Sequence, residues 1–123
     1  MVAHLVHRDA AGDIVVVAVL LEAGHSNPLL ETLWNNLPPE KEKPHAVPGV
    51  SIDVSQLLPP SLGYYTFPGS LTTPPCTENV TWYVLKSPEQ ISAEQVTTFA
   101  TIYPRDARPI QPLHHRKIAQ TPY

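Results

Sequence analysis

The loop with the sequence GSLTTPPC, residues 69–76, contains the side chains best suited to chemistry. The hydroxyls of Thr72 and Thr73 can both donate and accept hydrogen bonds, so either can orient a water without being a nucleophile. Pro74 and Pro75 restrict the backbone and bias Thr73 toward extended geometry, as a positioning loop requires. Threonines in turns also commonly satisfy backbone groups. The residues alone leave both interpretations open.

Cys76 in the same loop is the only cysteine of the chain. A catalytic thiol needs a base and an environment that favours the thiolate. The only nearby candidate base is Glu78, and no cysteine-protease signature surrounds the cysteine. We therefore predict a structural or formerly paired cysteine, and no protease activity.

The histidines near the beginning of the chain are a second candidate for chemistry. His4 and His7 lie in MVAHLVH, where apolar residues alternate as in a β-strand. Side chains three positions apart on a strand point to opposite faces, so at most one of the two can join a given metal site. A hydrogen-bonded or exposed strand histidine is the alternative. His25, His45, His114 and His115 fall in predicted loops, and we expect them to be solvent-exposed.

Composition limits the class of protein. The chain has 123 residues, 42% of them hydrophobic, and a formal net charge of −3. This balance gives no electrostatic basis for binding nucleic acid, and the longest apolar run, IVVVAVLL, is too short to span a bilayer. Met1 opens onto VAHLVH with no basic leader segment, so no signal peptide is expected. One domain of ordinary size is predicted.

The elements that must position these side chains are mainly strands. MVAHLVH and the apolar run over residues 14–21 flank a turn, which predicts a β-hairpin. Asn27 and Pro28 begin a helix, and Ser92 with Gln95 forms a capping box for a second one. The alternation of Val50, Ile52 and Val54 predicts a short strand; YYTF and NVTWYVLK predict two more. The expected fold class is mainly β with two short peripheral helices (α+β).

The chain resembles the α-class carbonic anhydrases of the bacterial, secreted form. The motifs that carry the resemblance are GSLTTPPC, VTW, AHLVHRD and ARPIQPLHHR. The resemblance runs along the whole chain and covers about the C-terminal half of that family's single domain. It implies a large, mostly antiparallel twisted sheet, of which residues 1–123 supply an incomplete part. It also implies zinc-dependent, reversible hydration of carbon dioxide to bicarbonate, and a periplasmic or secreted location.

The resemblance also implies roles for particular residues. His4 would be the third zinc ligand, with His7 pointing away. Thr72 would be the catalytic hydroxyl that hydrogen-bonds the activated water, and Thr73 would border the bicarbonate position. Arg108 would be structural. The apolar pocket for carbon dioxide would be lined by Val6, Val16, Leu71, Val80 and Trp82.

Departures from the family pattern qualify the expected activity. The two other zinc histidines, the proton-shuttle histidine and the disulfide partner of Cys76 would lie upstream of Met1, and Val2 stands where the family has a glutamate that holds the third histidine. We therefore expect residues 1–123 alone to bind zinc weakly or not at all and to be inactive. The alternative is a noncatalytic remnant that associates with itself or with a second chain through unpaired strand edges.

Overall fold

A computed structural model describes residues 1–37, 46–104 and 106–123. The strands are β1 (Val2–Arg8), β2 (Ile14–Ala23), β3 (Tyr64–Ser70), β4 (Glu78–Leu85), β5 (Glu89–Ile91) and β6 (Ala119–Gln120). The helices are α1 (Pro28–Asn35) and α2 (Ala93–Ile102). The expected helix stop at Pro38 and Pro39, and the loop position of His45, lie outside the described residues. No helix in the described ranges is long and apolar enough to cross a membrane.

The first two strands form the predicted hairpin. β1 and β2 pair antiparallel from Val2 opposite Leu20 to Arg8 opposite Ile14. The turn between them is held by Asp9, whose side chain accepts hydrogen bonds from the backbone N–H groups of Ala11 and Asp13, both at 2.9 Å. Gly12 completes the turn at φ +89°, a conformation that is unstrained only for residues without a Cβ. The hairpin fixes which side chains of β1 share a face.

The sheet is mixed, with the order β1-β2-β4-β3-β6. β2 runs parallel to β4 and, at its far end, to β5, whereas β3 pairs antiparallel with both β4 and β6. β2, which contains the apolar run over residues 14–21, therefore has neighbours on both edges, and a largely buried strand of this kind is typically rich in Val, Ile and Leu. The prediction of a mainly β fold with two short helices is confirmed.

Both helices pack against one face of the sheet. Asn27 caps α1 by accepting from Leu29 and Leu30, and the capping box of α2 has both of its hydrogen bonds, between Ser92 and Gln95. The main core lies between the helices and the sheet and is built from Val19, Leu21, Leu29, Leu30, Leu57, Leu85 and Ile91. The opposite face of the sheet is therefore left free of helices in the described part of the chain.

One predicted strand is wrong. Val50, Ile52 and Val54 do not form a strand; the Asp53 side chain instead accepts from the Ser55 backbone at 3.0 Å and caps a single 3-10 turn over Val54–Leu57. Local capping by a short polar side chain overrode a three-residue alternation that had no partner strand. The turn buries Leu57 in the main core.

Candidate functional site

The helix-free face of the sheet presents the side chains that the sequence singled out. In the cross-strand register His4 lies opposite Ala18, which in turn lies beside Val84. One row further on, Val6 lies opposite Val16, which is beside Trp82. A second buried cluster forms on this face, with Phe67, Leu71 and Val84 packed against Ile14, Val16, Ala18, Val80 and Trp82.

His4 and Thr72 line the same open cleft on this face, here called the His4 cleft. Its volume is ≈ 310 Å³. His4 lies on the edge strand β1, and Thr72 lies in the loop that joins β3 to β4. Its other lining residues are Val2, Ala18, Leu20, Phe67, Gly69, Ser70, Trp82, Val84, Arg108, Pro109, Gln111 and Arg116. A histidine and a threonine thus line one cleft that also has apolar residues in its lining.

The imidazole of His4 packs edge to face against the Trp82 indole, with ring centroids 4.9 Å apart and planes at 82°. His4 keeps substantial solvent exposure, yet its partial burial lowers the pKa of the imidazole below the ordinary value of 6.5. Burial disfavours the charged imidazolium, so the neutral form, which has a free nitrogen lone pair, is favoured. His7 lines a separate apolar cavity with Val17 and Tyr83 on the opposite face, as the strand alternation predicted.

Trp82 is held in place from three sides. Its Nε1–H donates to the Ser70 carbonyl at 3.0 Å, and its ring stacks with Phe67 at a centroid distance of 6.4 Å. Gly69 lies directly against the indole: a Cβ there would come within 2.9 Å of the Trp82 Cδ1 atom. The indole is therefore a fixed wall for His4.

The loop that joins β3 to β4 and carries Thr72 and Thr73, here called the threonine loop, is closed by two backbone hydrogen bonds. Leu71 N–H donates to the Thr77 carbonyl at 2.9 Å, and Cys76 N–H donates to the Thr73 carbonyl at 2.8 Å. Both threonines are exposed, but Thr72 is among the residues that line the His4 cleft and Thr73 is not. The loop thus presents its two threonines in different surroundings.

The residues expected to form an apolar pocket do not all reach the cleft. Trp82 lines it, and Leu71 packs against the buried cluster. Val16 and Val80 are each only 1% exposed, so they lie beneath the surface. Val6 is 57% exposed and is not among the cleft-lining residues.

The C-terminal segment contributes polar residues to the cleft, among them Arg108, for which the family resemblance implies a structural role. The Arg116 guanidinium donates to the carbonyls of Leu113, Pro112 and Pro68, which ties the segment to the end of β3. Arg108 donates to Ser70 Oγ at 3.1 Å. Gln111 lines the cleft beside them. This segment has no helical or strand periodicity, so its arginines are the one feature of its sequence that indicates a position near the cleft.

The donors in the cleft do not fit a complete zinc site. Catalytic zinc needs three protein ligands. His4 is the only histidine, cysteine or carboxylate among the cleft-lining residues, and no group of three such side chains elsewhere in the described ranges could hold a metal ion. The described residues supply one donor.

Comparisons with known proteins agree with this architecture. A carbonic anhydrase from Nostoc sp. is 41% identical over 117 residues, which cover 95% of this chain and 44% of that protein. A carbonic anhydrase from Neisseria gonorrhoeae is 43% identical over 121 residues, covering 98% of this chain and 47% of that protein. The chain thus spans about half the length of these curated relatives.

Solved structures match over the same extent. The α-carbonic anhydrase of Thermovibrio ammonificans, in complex with the inhibitor sulfanilamide, superposes with a TM-score of 0.87 at 42% identity and covers 95% of this chain and 52% of that one. Dioscorin complexed with ascorbate gives a TM-score of 0.82 at 28% identity, covering 97% of this chain and 52% of that one. The sequence model described as eukaryotic-type carbonic anhydrase matches residues 5–122. The chain belongs to this carbonic anhydrase family.

Proposed function

We propose that residues 1–123 supply one zinc-binding histidine and the catalytic hydroxyl loop of an enzyme that reversibly hydrates carbon dioxide to bicarbonate. The observation that carries this proposal is the meeting of His4 and Thr72 in one cleft, from two elements far apart in sequence. Membership of the family makes this chemistry the first to test.

His4 is the proposed zinc donor. Its partial burial against Trp82 favours the neutral imidazole, which is the form that binds a metal ion. The indole restricts the ring on one side, so less freedom would be lost on binding. Val2, an apolar side chain, lies in the same cleft and offers His4 no hydrogen bond. We therefore expect weaker metal affinity than in a site where a carboxylate orients the histidine.

Thr72 is the proposed catalytic hydroxyl. A hydroxyl can accept one hydrogen bond from a reacting water while donating another, which orients the water. Thr73 and Leu71 are proposed to border the substrate. Trp82, with Val16 and Val80 beneath it, gives an apolar surface suited to carbon dioxide, and Val6 extends that surface toward the open edge.

The proposal requires two further zinc donors from outside the described residues. Either another part of a longer polypeptide or a separate chain could supply them. Without them, one imidazole does not make a catalytic zinc site, and we expect no zinc-dependent hydration from residues 1–123 alone.

Zinc affinity tests this proposal. The N-terminal half of the Nostoc carbonic anhydrase, co-expressed with residues 1–123, supplies a complementary partner. Competition with a chromogenic chelator should give tight zinc binding for the pair, and His4→Ala should weaken it by at least about 100-fold. His7→Ala is the matched control, since His7 lies on the opposite face, and should bind zinc like the unmodified pair. Equal affinity for the pair carrying His4→Ala would remove His4 from the site.

A noncatalytic role in association is the second candidate. β1 pairs with β2 alone among the described strands, so its outer edge is open, and Val6 on it is 57% exposed. Open strand edges pair with other chains. Dioscorin, whose structure is a complex with ascorbate, matches this chain as well. Sedimentation velocity should give a dimer or a larger species; a monomer at all concentrations would count against association.

The free thiol of Cys76 bears on location. It is partly buried in the threonine loop. We propose that it pairs with a cysteine outside residues 1–123, from the same source as the two further zinc donors, in an oxidising compartment, the periplasm or the outside of the cell, where disulfides persist. Thiol labelling of the co-expressed pair from periplasm and from cytoplasm would test this, with protection expected only in the periplasmic sample.

A further inference from the structure

A second, more polar cleft borders the His4 cleft and is here called the arginine cleft. Its volume is ≈ 480 Å³. Its lining residues are Pro68, Gly69, Ser70, Glu78, Asn79, Arg108, Gln111, Pro112, His114 and Arg116. Five of them, Gly69, Ser70, Arg108, Gln111 and Arg116, also line the His4 cleft. The two clefts therefore adjoin each other.

The charges in the arginine cleft are unbalanced. Among the described lining residues, Arg108 and Arg116 contribute two permanent positive charges, whereas Glu78 contributes the single carboxylate. Neither arginine forms an ion pair with any described residue; their side-chain partners are the Ser70 hydroxyl and backbone carbonyls. Positive charge on concave surface without a counter-ion attracts anions.

The two arginines differ in the donors that they leave available. Arg116 uses Nε and both terminal nitrogens on backbone carbonyls, so it contributes charge and holds the wall. Arg108 is exposed and makes one hydrogen bond, from one terminal nitrogen to Ser70 Oγ. Its remaining N–H groups keep the fork geometry that binds two oxygens of one planar anion. The Asn79 side chain, which has no partner among the described residues, adds amide donors in the same lining.

We propose that the arginine cleft binds a small planar oxyanion of the carboxylate class, held by the Arg108 guanidinium with the charge of Arg116 behind it. The binding requires no metal and no catalytic activity. Bicarbonate belongs to this ligand class, so the cleft would also hold the product beside the His4 cleft; that consequence alone rests on the proposed function.

NMR titration of the zinc-free chain tests the proposal directly. Sodium acetate and sodium bicarbonate are the probes, with sodium chloride at matched ionic strength as the control for screening. Saturable shifts of the Arg108 Nε–H and the Asn79 side-chain amide are expected with both oxyanions, with affinity of about millimolar for a single bidentate contact. Shifts that do not saturate, or that chloride reproduces, would overturn the proposal.

Variants distinguish binding by the paired N–H donors of Arg108 from binding by its positive charge alone. Arg108→Lys keeps the positive charge but loses the paired donors, so acetate should bind about tenfold more weakly. Glu78→Gln removes the only carboxylate among the described lining residues and should tighten binding about threefold, a gain that partial unfolding cannot mimic. Arg8→Lys, at the end of β1 and outside the cleft, should change nothing. Unchanged affinity in Arg108→Lys or Glu78→Gln would contradict the assignment. Because no zinc is present, these outcomes are independent of the hydration activity.

Discussion

His4 on the edge strand meets the indole of Trp82 edge to face, with ring centroids 4.9 Å apart. The two residues come from β1 and β4, strands that do not pair with each other but both pair with β2. The contact thus links His4, on the edge strand β1, to Trp82 on the inner strand β4, which follows the threonine loop. The orientation of His4 depends on that long-range contact.

Trp82→Phe should destabilise the fold by about 2–3 kcal/mol, because it removes a partly buried hydrogen bond to Ser70 and leaves unfilled volume in the second cluster. Urea denaturation followed by far-UV circular dichroism measures the change. Tyr65→Phe, on an exposed side chain of the neighbouring strand, should stay within about 0.5 kcal/mol. Equal effects of both substitutions would mean that Trp82 is not held as described.

Gly69→Ala should displace the Trp82 indole, since the new Cβ would lie 2.9 Å from the Cδ1 atom and 3.0 Å from the Nε1 atom. A change in the chemical shift of the Trp82 indole N–H is the expected signature, together with a loss of stability. Gly12→Ala is the matched control. It strains a left-handed turn but meets no atom within 4 Å, so it should lower stability by about 1 kcal/mol and leave the indole signal unchanged.

The metal-free imidazole of His4 should titrate below 6.5, because partial burial disfavours its charged form. The folded state then binds fewer protons than the unfolded state as the pH falls through 6.5 toward the lower folded pKa. Stability should therefore decrease over that window and be unaffected by His4 above it. NMR titration of the His4 ring protons gives the pKa, and His4→Gln should flatten this part of the stability profile. A midpoint above 6.5 would contradict the burial described.

Much of the fold could be predicted from local signals. The hairpin, both helix starts and the opposite directions of His4 and His7 follow from alternation and capping residues. The failures have a common physical origin. The alternation of Val50, Ile52 and Val54 was too short to specify a strand, and the Asp53 cap favours a 3-10 turn instead. The two shortest strands, β5 and β6, form only by pairing with strands that are distant in sequence.

The site was predictable in part only. Family resemblance singled out His4, Thr72 and Trp82, and all three line one cleft. Val6 lies exposed on the edge strand β1 and is not among the cleft-lining residues, so its expected role in the apolar pocket stays a prediction. The resemblance gave Arg108 a structural role, but the hydrogen bonds from Arg108 to Ser70 and from Arg116 to Pro68 could not be predicted, because they join segments far apart in sequence.

Gln95→Ala should destabilise the protein by about 3 kcal/mol, a large effect for one side chain at a helix start. Gln95 is 4% exposed; its Oε1 accepts from Asn27 and Ser92, and its Nε2 donates to Asn27 and Glu31. Removing it leaves partly buried backbone groups of Asn27 and Ser92, at the two helix starts, without these partners. Ser92→Ala, which removes one cap, should lower stability by about 1 kcal/mol in the same thermal melts. Equal losses would show that Gln95 does not link the two helices.

The most direct test of the central claim is stopped-flow carbon dioxide hydration by the co-expressed pair loaded with zinc. Thr72→Val replaces the hydroxyl with a methyl group of similar size, and Thr73→Val makes the same change at the neighbouring threonine, which is proposed to border the substrate. We predict that the unmodified pair catalyses hydration, that residues 1–123 with zinc alone do not, and that Thr72→Val lowers kcat by about 100-fold while zinc stays bound. Full activity of the Thr72→Val pair, or zinc-dependent activity of residues 1–123 alone, would contradict the account.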